Sequence, residues 1–156
     1  MDQWKRNFLS KLSQAQSQWS SRFEDALDTH FVPVFDEYKQ FLTDNGFRLS
    51  TPLNEPGRRS FKFELAENAY LLMIFRSTGV GEFELRCESF VPGSEPALAR
   101  TTARADELNE EWVTRHTQAA LDTFVDSLAG SDTSKKAPEP TAEDVDSVAA
   151  AASTLL

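Results

Sequence analysis

Two histidines, one cysteine and one pair of carboxylates are the residues of this chain whose types could do chemistry. Asp122 and Asp126 stand four apart, the spacing that brings two carboxylates onto one helix face within reach of a hard cation. Two carboxylates alone make an ordinary solvated face, and no H-x-x-x-H or C-x-x-C accompanies them, so no metal is expected. Cys87 would need a histidine beside it to act as a nucleophile. It falls in the alternating stretch "EFELRCES", where Phe83, Leu85 and Cys87 share the inward face, which reads as a small buried hydrophobe. His116 could accept a proton, but nothing at helical spacing orients it.

Two further stretches invite a ligand. "GVGEFE" has two glycines of a phosphate loop, but it opens a strand and not a helix, so no helix N-terminus faces a phosphate. "EPGRRSFKF" sets Arg58, Arg59 and Lys62 among phenylalanines, the composition of a base-stacking sheet. Strand alternation puts Phe61 and Phe63 on the face opposite Lys62, so rings and charge part company. A pocket between sheet and helices, lined by Tyr70, Leu72, Phe83, Trp112 and Phe124, is the place a small molecule would occupy. The residues give no catalytic, cofactor-binding or metal-binding set.

The elements that must position these residues follow from period. Trp4, Phe8, Leu12, Ala15, Trp19, Phe23 and Ala26 recur every three or four residues, predicting a helix over 1–30. Pro33 predicts a kink or break near 30–32 and a second helix over 33–44, ended by Gly46 with Phe47 folding back on Leu42. A four-stranded antiparallel meander follows over 47–91, with strands at 47–51, 61–65, 69–75 and 82–89. "AYLLMIF" is apolar on both faces and reads as a central strand covered on both sides. A long helix over 102–129 packs on the sheet, its stripe made of Ala105, Leu108, Trp112, Ala119 or Ala120, Phe124 and Leu128. The fold class is α+β, one domain over 1–130. Ser, Thr, Lys and Pro mark 131–140 as a flexible linker, and 141–156 as a short amphipathic tail helix presenting Val145, Val148, Ala152, Leu155 and Leu156 for docking.

Charge and length narrow the partners. The net charge is -9, which repels phosphate backbones and anionic lipid, so neither nucleic acid nor membrane is expected. The charge is unevenly placed. Residues 1–23 hold four bases and one acid, +3, while residues 24–46 hold six acids and one base, -5. A single cysteine and the absence of an apolar leader in "MDQWKRNFLS" fit the cytoplasm. A helix of about 29 residues is about 44 Å long and a seven-residue strand about 23 Å, so half the first helix must overhang its sheet. Trp4, Phe8 and Leu12 on that overhang, together with Trp19, are the expected partner surface, and a second copy is the natural cover. In size, acidity and element order the chain resembles bacterial secretion chaperones as a class, small acidic dimers. The expectation is a homodimeric, non-enzymatic adaptor or chaperone-like module, with a small-molecule binder or weak enzyme as the alternative.

Overall fold

The computed structural model describes residues 2–130. The expected linker and tail, with Val145, Val148, Ala152, Leu155 and Leu156, lie outside them. The molecule is α+β, with a helical N-terminal third, a five-stranded antiparallel sheet and a C-terminal helix. Helix α1 spans Gln3–Ala26 and α2 spans Val32–Asp44. Between them lies a single π-helical turn, Leu27–Phe31, in place of the expected kink or break. Pro33 has no N–H to give and its ring crowds the carbonyl one turn back. Widening the preceding turn absorbs that clash: the Val32 N–H reaches the Leu27 carbonyl, five residues back, and the helical path continues. The turn buries Leu27 and Phe31 completely. Helix α2 ends as its sequence predicts. Gly46 is left-handed at φ 93°, and the Phe47 N–H bonds the Leu42 carbonyl at 2.9 Å.

The strands are β1 (Arg48–Glu55), β2 (Arg58–Ala66), β3 (Ala69–Gly79), β4 (Glu82–Phe90) and β5 (Ala97–Arg104), paired in chain order. Two expectations are corrected here. Strand β1 runs past Pro52 because it is an edge strand, and its register slips between Ser50 and Leu53 where the proline cannot pair. A fifth strand, β5, occupies residues 97–101, which the period left without an element, and 102–104, the first residues of the expected last helix. "ALARTTAR" is rich in helix formers, yet it completes the ladder offered by β4, from Glu82↔Arg104 to Ser89↔Ala97. The last helix, α3, therefore begins at Glu110 and runs to Gly130. Asn109 caps it, its Oδ1 accepting the Trp112 N–H at 2.8 Å, with Glu110 and Glu111 in the first turn.

All three helices pack on one face of the sheet. Phe61, Phe63, Leu71, Met73, Phe75, Phe83 and Leu85 point into that layer and are essentially inaccessible. Phe31 meets Phe61 at 4.3 Å and Phe75 at 4.8 Å, and Phe83 meets Trp112 edge-on at 5.4 Å. Among the described residues the opposite face has no cover. There Tyr70, Leu72 and Ile74 are half-buried, which corrects the expectation of a β3 covered on both sides. Ion pairs flank them. Glu84 sits between Arg76 of β3 at 3.2 Å and Arg100 of β5 at 3.0 Å, and Glu64 between Arg48 and Lys62.

Candidate functional site: a projecting helical arm

Helix α1 is about 36 Å long, and only its last turns touch the body. Phe23 is its single buried residue. Gly81, left-handed at φ 73° in the β3–β4 turn, lets the Trp19 ring approach so closely that a Cβ there would stand 3.0 Å from it. Arg22 lies over the same ring at 4.5 Å. Trp19 is thus half-buried at the base of the arm against its own body, separate from the other three interface candidates.

Beyond that base every residue from Asp2 to Gln18 is exposed. The residues from Gln3 to Gln18 form a rod of about 24 Å. It carries Trp4, Phe8, Leu9 and Leu12, with 65%, 48%, 51% and 42% of their surfaces bare. Trp4 stacks on Phe8 at 5.2 Å, one ring covering part of the next. At about 100° per residue, Trp4, Phe8 and Leu12 lie within one strip, and Lys5 and Lys11 flank it on either side.

The candidates for chemistry fall elsewhere, and of them Cys87 and His116 border one cleft. Phe83, Trp112 and Phe124 of the expected pocket are filled core, while Tyr70 and Leu72 point to the other side of the sheet. The cleft nearest that place, between α3 and β4–β5, holds about 150 Å³ and is bordered by Cys87 and His116 among alanines and threonines. Small-molecule sites start at roughly 300 Å³. Burial pushes the Cys87 thiol up to about 12, the reverse of what an attacking thiolate needs. Burial, and then the nearby Arg115 charge, lower the basicity of His116, whose ring lies 3.9 Å from that of Trp112. Among the described residues no three potential metal ligands cluster, and no helix is long and apolar enough to cross a membrane.

Arg59 is the ion-paired group deepest in the body, and the sequence did not single it out for that role. It reaches from β2 to Asp28 at 2.7 Å and to Glu24, whose other oxygen accepts the Gly57 N–H at 2.9 Å. Burial opposes its charge, but the bonds and charges of Asp28 and Glu24 outweigh it and raise its pKa. The contact anchors the end of α1 and the π turn to the β1–β2 hairpin, so the arm leaves the body in one direction. Arg58 and Lys62 lie on the opposite face from Phe61 and Phe63, as alternation requires.

No family model, curated protein or solved structure matches this chain.

Proposed function

We propose that this chain is a non-enzymatic protein-interaction module, an adaptor or chaperone-like part, that forms a homodimer through the projecting half of α1. The observation that carries the reading is the bare arm. Covering one large apolar side chain is worth about 1.5–3 kcal/mol, and the arm presents four of them on a helix whose residues are exposed throughout from Asp2 to Gln18. An isolated helical stretch of this length is marginal in water, so a partner that covers it also stabilises it. The filled interior between helices and sheet supports a module that acts through its surface. The lone cysteine fits a reducing, cytoplasmic setting.

Light scattering on the full chain at micromolar concentration tests the reading. The expected mass is twice 17.5 kDa. Phe8→Asp is expected to give the monomer with a folded body, because Phe8 lies in the exposed stretch of α1. A wild-type monomer under these conditions rejects the proposal.

A further inference from the structure

Helices α2 and α3 leave a trough along the outer surface of the body. Its two halves share Tyr38, Gln118 and Asp122, and Gln118 bonds the Tyr38 hydroxyl across it at 2.9 Å. One half is apolar. It is lined by Phe41, Leu42, Phe47, Leu121 and Val125 and holds about 520 Å³, and two of these, Phe41 and Val125, are 66% and 50% exposed. The other half is acidic, with Glu37, Glu110, Glu111 and Asp122 against a single Arg115, a sum of -3.

We infer that this trough seats the α1 arm of a second copy of the chain, the two copies exchanging arms about a two-fold axis. The inference rests on the pairing proposed above and names the surface that receives the arm. Three features fit arm to trough. The first is charge: residues 2–18 carry Lys5, Arg6 and Lys11 against Asp2, a sum of +2 facing the trough's -3. The second is length. From Glu110 to Val125 the α3 wall runs about 22 Å, beside an arm of about 24 Å, and the apolar strip Trp4–Leu12 of about 12 Å matches the Gln118–Val125 wall of about 10 Å. The third is the arrangement. Lys5 and Lys11 flank the arm's strip on opposite sides, and the trough has acids on both walls, Glu37 on α2 and Glu110, Glu111 and Asp122 on α3. A helix laid apolar side down would place each lysine beside an acid. The arm continues α1 without a break, directed away from the body, so its own trough is out of reach. Reciprocal exchange uses both arms and both troughs and closes the assembly, where one-way docking would run on into a filament.

Sedimentation equilibrium on the full chain tests this with variants whose side chains are exposed and whose folding is followed by thermal melting. Phe8→Asp in the arm and Phe41→Asp in the trough are each expected to raise the dimer Kd on the order of a hundredfold or more. Mixing these two monomers should partly restore pairing, since one intact arm and one intact trough remain. Lys5→Glu with Lys11→Glu should weaken the dimer about tenfold at low salt, and adding Glu37→Lys with Asp122→Lys in the same chain should recover it. A photo-crosslinker at position 41 should capture residues 2–18 of the other copy. If Phe8→Asp gives a monomer while Phe41→Asp leaves the dimer intact, the trough assignment is overturned and arm-mediated pairing stands. If neither variant changes the mass of a dimer, both are overturned. Crosslinking from position 41 to residues 131–156 would give the trough to the chain's own tail and overturn the inference.

Discussion

Cys87 shows how burial decides the chemistry of a single residue. It pairs with Met73 on one side and Ala99 on the other, on the helix-facing side of β4. Desolvation disfavours the thiolate and raises the thiol from an ordinary 9.0 to about 12. The thiolate is the reactive form, so at a given pH below 9 the folded protein holds about a thousandth of the unfolded chain's thiolate. Alkylation by iodoacetamide near neutral pH, followed by mass spectrometry, should proceed about a thousandfold more slowly in native protein than in denaturant. Equal rates would show an exposed, ordinary thiol. The strand position was legible in the alternation of "EFELRCES"; the height of the shift was not, because it depends on α3 lying over that part of the sheet.

At the scale of the element, α3 is held to the sheet by a face that its sequence shows in part. Trp112, Ala120 and Phe124 are buried where the helical period puts them, while Val113 and Thr117 are also buried and fall outside the expected stripe. A helix covering a sheet needs a wider face than a narrow a/d seam. Leu108 is buried as expected, but it belongs to the connection that follows the short helical turn Ala105–Glu107. Trp112→Ala removes the ring packed on Phe83 and should cost about 3–5 kcal/mol in chemical denaturation. A loss below about 1 kcal/mol would mean that the ring does not fill the core. The start of α3 had a readable signal, Asn109 followed by Glu110 and Glu111, and it lost to the helix-forming residues before it. Of those, 102–104 joined β5 because an unpaired β4 edge was there to receive them, and Ala105–Glu107 form a short helical turn.

For the whole molecule, the consequence of the arm is that stability and association are linked. A partner that binds the folded chain raises its melting temperature by mass action. The melting midpoint of the wild-type chain should therefore rise over a roughly hundredfold increase in protein concentration, and that of Phe8→Asp should stay constant. A wild-type midpoint independent of concentration would count against pairing. The charge separation belongs to the same scale. The basic end and the acidic stretch lie next to each other in sequence, but α1 carries the first away from the body, while in the second Glu24 and Asp28 hold Arg59 and Glu37 lines the trough.

By itself the sequence determined the α+β class, the projecting first helix, the left-handed Gly46, the antiparallel order of the strands and the sidedness of Phe61, Phe63, Phe83 and Leu85. Each of these follows from a period of 2 or 3.6 residues, or from the conformational freedom of glycine, which act over a few neighbours. Only the tertiary structure decided the rest. It turned the expected kink or break near 30–32 into a π turn, which buries its own Leu27 and Phe31 in the core. It made a strand of "ALARTTAR", since a sheet edge outweighs modest helix propensity. It filled the place of the expected pocket, setting Tyr70 and Leu72 on one side of the sheet and Phe83 and Trp112 on the other. And it drew α2 and α3, separated by the whole sheet in sequence, into the walls of one trough. Contacts of that kind join residues roughly 80 positions apart, as Tyr38 and Gln118 are, and no local pattern encodes them.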